Sequence, residues 1–298
     1  MDDVYITSLH IGKVRHLEGV HIELSEKERK HLILTGKNGS GKTSLLEAIR
    51  DDVASTQKEL YTLDIAQLSR STLTSIEICY STMYKYLPHS SDVIFAYIPA
   101  ERSKLEPPKS IEPVNIQGKN IITRNASREF LKYILSLDYR RYGAISDKNK
   151  ELEENLEKWF DNFIKALRNI YQCAELELQR DTKNYAFLIK MPDREPFALN
   201  EMAAGYAAFL DIFVEILMRF EGDDAVVNYE KPAIVLIDEV ETHLHVELQK
   251  RALPFLTQMF PNVQFVVSTH SPFVMSSLEN AVVYDLEKKE YLENFNLT

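Results

Sequence analysis

Hydrophobic and polar positions alternate along the chain in two rhythms, one of strands and one of helices. Near the N-terminus, Val4–Ile11 and Val20–Leu24 read as short strands that form an antiparallel pair. Lys30–Thr35 is a compact apolar run that breaks at once into glycines. From Lys42 onward Leu45, Leu46, Ile49 and Val53 return at helical spacing. Ser75–Tyr80 and Asp92–Ile98 are further strand patterns. Pro99–Gly118 holds Pro107-Pro108 and Pro113 and is expected to be loop or linker. Ser127–Tyr171 is mostly helical, with Leu152, Leu156, Trp159, Phe160 and Phe163 on one face. Ala174–Gln179 and Tyr185–Lys190 flank Asp181-Thr182-Lys183-Asn184 and suggest a hairpin. Ala203–Phe220 is a long apolar helix. The last third is the most regular: strand Ala233–Ile237, helix Val246–Phe260, strand Val263–Ser268, helix Ser271–Leu278. Such alternation predicts an α/β fold whose mostly parallel sheet carries helices on its faces. There is no internal repeat and no low-complexity segment.

Composition narrows this little. With 45% hydrophobic and 27% charged residues among 298, the chain reads as soluble and globular, with room for one large domain or two small ones. No apolar run nears the roughly 20 residues that span a bilayer. Met1-Asp2-Asp3 lacks the basic-then-apolar pattern of a secretory signal, so a cytoplasmic protein without membrane contact is expected. Cys79 and Cys173 sit in apolar periodic segments without metal-ligand spacing and read as buried free thiols. The balance of 35 basic to 45 acidic residues, a net charge of −10, speaks against a surface built to neutralise nucleic-acid phosphates. Arg124, Arg128, Lys132, Arg140 and Arg141 form a local basic stretch, best read as a solvated helix face.

Chemistry enters at Gly36-Lys37-Asn38-Gly39-Ser40-Gly41-Lys42-Thr43, a complete G-x-x-x-x-G-K-[ST] loop between a strand and a helix. Its glycines let successive backbone N–H groups face phosphate oxygens. Lys42 supplies a point charge, the Thr43 hydroxyl a ligand for Mg²⁺, and the helix its positive dipole end. ATP with Mg²⁺ is the expected ligand pair. Ile234-Val235-Leu236-Ile237-Asp238-Glu239 ends an apolar strand on two acids. Alone, that pattern also fits a strand meeting a helix cap. Beside a phosphate loop, Asp238 is the expected holder of Mg²⁺ and Glu239 the general base for the attacking water. Val266-Val267-Ser268-Thr269-His270 places a histidine at the end of a third strand, within reach of the γ-phosphate or the water.

These pieces, in this order, resemble the ATP-binding-cassette ATPases of the branch that contains SMC, RecF and OLD-type proteins. They are most similar to the compact ATPases of bacterial anti-phage systems such as PARIS, Septu and retron-linked modules. The resemblance is densest over Lys231–Leu278. There Ile237–His245, Glu247-Leu248-Gln249, Phe260-Pro261-Asn262 and Ser268-Thr269-His270-Ser271-Pro272 follow the family pattern. It implies an ABC-type P-loop NTPase head with a mixed sheet, an antiparallel N-terminal subdomain and a short helical insertion. The expected division is residues 1–100 and 174–298 as the two halves of the head, with 101–173 as linker and insertion. It further implies that two copies enclose ATP between the phosphate loop of one and a signature motif of the other, as a homodimer or higher oligomer. His270 would be the switch histidine. The signature falls at Met202-Ala203-Ala204-Gly205, where Gly205 fits the family glycine and Ala203 stands in place of its serine. No glutamine follows Phe95–Ile98 where the family often has one; Glu101 is a candidate substitute, and Arg102 a candidate phosphate contact or local partner. The helical insert is too short for SMC-type arms, and only 28 residues follow His270, so no nuclease domain is expected.

The reading that follows is an ATPase, slow if the lost serine matters, that senses or regulates a separately encoded effector in phage defence. Two alternatives stand beside it: a RecF-like DNA-repair clamp, which the acidic composition disfavours, and a nucleotide-gated scaffold with little hydrolysis, which Ala203 suggests.

Overall fold

Runs of apolar residues without alternation become the strands of one central sheet. In the computed structural model, which describes residues 4–61, 74–81, 93–102, 105, 127–222 and 225–292, these are β3 (His31–Thr35), β9 (Ala233–Ile237) and β10 (Val263–Ser268). Every residue of the three is buried, as expected of strands covered on both faces. With β5 (Ile94–Ile98), β11 (Ala281–Asp285) and β12 (Glu290–Tyr291) they form a six-stranded sheet in the order β12-β11-β3-β10-β9-β5. All neighbours run parallel except the β11–β12 pair, so the sheet is mixed. The parallel strands therefore end on one edge, which gathers the residues that follow each of them.

Alternating segments make the second layer. β1 (Ile6–Val14), β2 (Leu17–Glu23) and β4 (Thr74–Tyr80) pair antiparallel in the order β2-β1-β4. The period is visible in β1 and β2, where Leu9, Ile11, Val14, Leu17, Val20 and Ile22 are buried between polar neighbours. That inner face, one stripe of α1 (Lys42–Tyr61) at Leu45, Leu46, Ile49 and Val53, and Leu32, Leu34, Leu236 and Val266 of the central sheet form one core cluster. Burying each such side chain contributes about 1.5–3 kcal/mol before the entropy of ordering it.

Two compact units result: residues 1–101, 120–124 and 229–298, and residues 102–119 and 125–228. By compactness, residues 174–228 group with the helical segments. The physical reason is local packing. α3 (Lys150–Tyr171) buries Leu156, Trp159, Phe160, Phe163, Leu167 and Ile170, and its Phe160 ring lies 5.8 Å from Phe187 of β7. β7 (Ala186–Met191) is the middle strand of a second antiparallel sheet, between β6 (Glu177–Asp181) and β8 (Arg194–Ala198). α2 (Phe130–Ser146) packs on α3, and α4 (Ala204–Phe220) completes the unit. α4, a long and mainly apolar helix, carries three charged residues that are buried. Glu215 accepts from Arg219 at 2.7 Å and from the Ser127 amide at 2.7 Å, while Asp211 accepts from the Ser127 hydroxyl at 2.6 Å.

Several expectations change. β8, β11 and β12 were not foreseen, and the last helix, α6 (Pro272–Met275), is four residues where eight were expected. Both cysteines are free but half-buried rather than buried. The Pro99–Gly118 loop lies almost wholly outside the described residues, as do Arg124 and the Arg128 side chain. No helix of the described residues is long and apolar enough to cross a membrane.

Candidate functional site

The phosphate loop takes a shape that only glycine tolerates. Gly36, Gly39 and Gly41 hold φ of 130°, 81° and 99°. A Cβ at Gly41 would meet Leu17 at 2.8 Å, and one at Gly36 would meet the Ser40 hydroxyl at 2.8 Å and Asp285 at 3.2 Å. The loop closes with Ser40 N donating to Lys37 O at 3.0 Å, and helix α1 opens with Leu45 N donating to Gly41 O at 2.8 Å. Lys42 is buried and folds back onto its own loop, donating to Gly36 O at 2.8 Å and Lys37 O at 3.1 Å. Burial pushes its ammonium below the usual lysine range, opposed by the carboxylates of Glu239, Asp238, Glu241 and Asp285. Thr43, at the helix start, is exposed.

The acids stand on the edge where β9 and β10 end. Asp238 is buried and accepts from the Ser268 hydroxyl at 2.5 Å. The same Ser268 oxygen accepts from Glu239 N at 2.7 Å, so one hydroxyl from β10 fixes both acids of β9. Glu239 adopts a left-handed φ of 44°, rare for a residue with a side chain, and its carboxylate accepts from the Thr242 hydroxyl at 3.1 Å. Glu241 clamps the next turn: it accepts from the Thr269 hydroxyl at 2.7 Å and from His270 N at 2.5 Å. The His270 imidazole is exposed and makes no hydrogen bond to the described residues. Tyr97 of β5 is pushed up to about 12, first by burial and then by Asp238.

The first unit thus brings together Gly36–Thr43, Asp238, Glu239 and His270. Ala203 and Gly205 lie in the second unit, at the start of α4. Ala203 is the residue before its first turn and offers no side-chain bond to the free N–H groups there. Glu101 follows β5 and is exposed. Ser268, Glu241 and Asp285, which the geometry places at the site, are not singled out as site residues by the sequence reading. Ser268 and Glu241 could have been found as polar residues within the strand ends that carry the resemblance.

The loop fits a nucleotide phosphate on its own terms. The Ser40 hydroxyl is buried with no partner inside the cradle, and Thr43 turns an uncommitted hydroxyl to the same end of α1. A glycine loop between a buried parallel strand and a helix, with acids closing the adjacent strand ends, gives the fold of an ABC-type P-loop NTPase head. Residues 95–275 match the model of the AAA ATPase domain family, well over half of the chain, and the chain belongs to that family.

Its relatives agree with the resemblance to retron and Septu proteins. The "Retron Ec83 probable ATPase" of Escherichia coli is 26% identical over 179 residues, covering 57% of this chain and 31% of that protein. The "Septu protein PtuA" of Bacillus mycoides (strain KBAB4) is 30% identical over 95 residues, covering 31% of this chain and 13% of that protein. The matched stretches are thus less than a third of these relatives' lengths. Among solved structures, an SMC head bound to the C-winged helix domain of ScpA superposes with a TM-score of 0.50, across 94% of this chain and 93% of that chain at 14% identity. That likeness is one of fold.

Proposed function

We propose that the protein binds ATP with Mg²⁺ and hydrolyses it in a site completed by a second copy of the chain, so that nucleotide state controls a separate effector. The observation that carries this is the single Ser268 hydroxyl that holds Asp238 and the backbone of Glu239 beside the phosphate loop.

Each residue has a role. The backbone N–H groups of Gly36–Thr43 and the Lys42 ammonium bind the β- and γ-phosphates, which draw Lys42 from the two carbonyls it now caps. Thr43 and Asp238 would hold Mg²⁺, which when bound neutralises phosphate charge. Glu239, kept in orientation by Thr242, takes the proton of the attacking water. His270 presents its imidazole outward, with its backbone fixed by Glu241, as a group facing the γ-phosphate. Ala203 and Gly205 would meet the nucleotide of the partner copy through the N–H groups that open α4. The kinship with retron and Septu ATPases supports a place in phage defence beside a separately encoded partner.

Ala203 favours one second reading, a nucleotide-gated scaffold with little turnover. Phosphate release by the purified chain, its Glu239→Gln variant and its Lys42→Ala variant separates the two. Hydrolysis predicts a loss of about 10²–10⁴-fold in Glu239→Gln with nucleotide still bound, and loss of binding in Lys42→Ala. Equally negligible turnover in the parent and Glu239→Gln would leave the scaffold.

A further inference from the structure

The open face of the antiparallel sheet carries a histidine pair that the nucleotide site does not use. In the strand register His10 of β1 lies directly opposite His21 of β2 on one side and Glu77 of β4 on the other. Opposed residues of an antiparallel pair share a face. Leu9, Ile11, Ile22 and Ile78 fill the inner face, so the row His21–His10–Glu77 lies outside the core. The two rings meet edge to face, with centroids 3.8 Å apart at 77° and Nδ1 atoms 2.7 Å apart. Their outer nitrogens are also engaged: His21 Nε2 is 2.9 Å from Glu23 Oε1, and His10 Nε2 is 3.4 Å from Ser8 Oγ.

The placement of hydrogens decides what such a pair can hold. A neutral imidazole has one N–H, and an ionised carboxylate only accepts. The bond to Glu23 therefore puts the hydrogen of His21 on Nε2 and leaves its Nδ1 as a bare lone pair. His10 has two settings. With its hydrogen on Nδ1 it donates across the 2.7 Å gap to His21 and accepts from the Ser8 hydroxyl at Nε2. With its hydrogen on Nε2 toward Ser8, both Nδ1 atoms are bare and adjacent, an arrangement that a bound cation relieves.

We propose that His10 and His21 form a binding site for a divalent transition-metal cation, coordinated by both Nδ1 atoms and completed by water. Imidazole nitrogen suits zinc, copper and nickel over the hard cations of a phosphate site. The carboxylate behind His21 is the arrangement that orients metal-bound imidazoles and raises their basicity. Glu23 and Glu77 add negative charge around the position. Metal–nitrogen distances of about 2.0–2.1 Å need Nδ1 atoms about 2.9–3.4 Å apart, so the rings separate by a few tenths of an ångström. No cluster of three or more His, Cys, Asp or Glu poised around a common metal position occurs among the described residues, so the protein would supply only the two imidazoles and water the remaining ligands. A bound cation ties β1 to β2. The far end of that hairpin packs Leu17 against Gly41 and bonds Arg15 to Glu47 of α1 at 3.1 Å, so the tie stiffens one wall of the phosphate loop.

Titration of the full chain with Zn²⁺, against a chromophoric chelator, tests the site. His10→Ala, His21→Ala and the double variant are compared with the parent, and all lie on the open face, so circular dichroism verifies their folds. The parent should bind one Zn²⁺ that either single variant weakens at least tenfold and the double variant loses. Glu23→Gln should weaken it by about 10–100-fold. The melting temperature should rise by a few degrees with Zn²⁺ in the parent alone. Retained binding in the double variant would place the metal at the other histidines and overturn the proposal, as would no binding by the parent at 100-fold molar excess of Zn²⁺.

Discussion

His31, buried at the start of β3, is held neutral by its surroundings. Burial lowers it to about 4, helped by the charge of Arg29, and its Nδ1 accepts from Phe265 N at 3.1 Å. The unfolded chain protonates this ring near 6.5. Stability from the neutral form is therefore complete above about pH 6.5 and declines as pH falls toward 4, by about 3 kcal/mol in all. His31→Gln keeps an acceptor for Phe265 without the titration. Urea midpoints at pH 7.5 and 4.5 should differ less for His31→Gln than for the parent; equal differences would show that His31 is not the titrating group. Residues of this kind divide sharply by what sequence can show. Lys42, Thr43, Asp238 and Glu239 can be proposed from sequence because the motifs that single them out are written in neighbouring letters. Ser268 and Glu241 were not, because their partners lie 30 and 28 residues away and only strand order joins them.

α4 begins without a cap. Ala203 adopts extended backbone and contributes only its carbonyl, which accepts from Ala207 N at 3.0 Å. A serine there can accept from the N–H groups of the first turn, so Ala203→Ser should raise stability by about 1 kcal/mol. If the same N–H groups meet phosphate across the copies, turnover should also increase. Higher stability without faster turnover, measured by denaturation and phosphate release, would detach Ala203 from the chemistry. Among the elements, long periodic ones were read from sequence and short dependent ones were not. β11 is five residues after polar Glu279-Asn280 and is a strand because the edge of β3 is open to it. That pairing brings Asp285 beside Gly36. α6 stops early because Ser276 and Ser277 turn their hydroxyls onto carbonyls of its own turn, at 3.0 Å to Pro272 O and 2.8 Å to Val274 O.

Taken whole, the chain divides its tasks between two units. The first holds the phosphate loop, both acids and His270, and its sheet edge gathers them by parallel pairing alone. The second holds the start of α4 and the helical insertion. A net charge of −10 disfavours a surface built to neutralise a nucleic-acid backbone. Periodicity gave the α/β class and a mostly parallel sheet but not the order of its strands, and the resemblance supplied the mixed head and the expectation that two copies pair, which no single chain displays. Light scattering of the Glu239→Gln variant with and without Mg-ATP addresses that pairing most directly. Twice the monomer mass with Mg-ATP, and the monomer mass without it or in Lys42→Ala, is the expected result. A Glu239→Gln chain that binds ATP yet keeps one mass throughout would contradict a site shared between two copies.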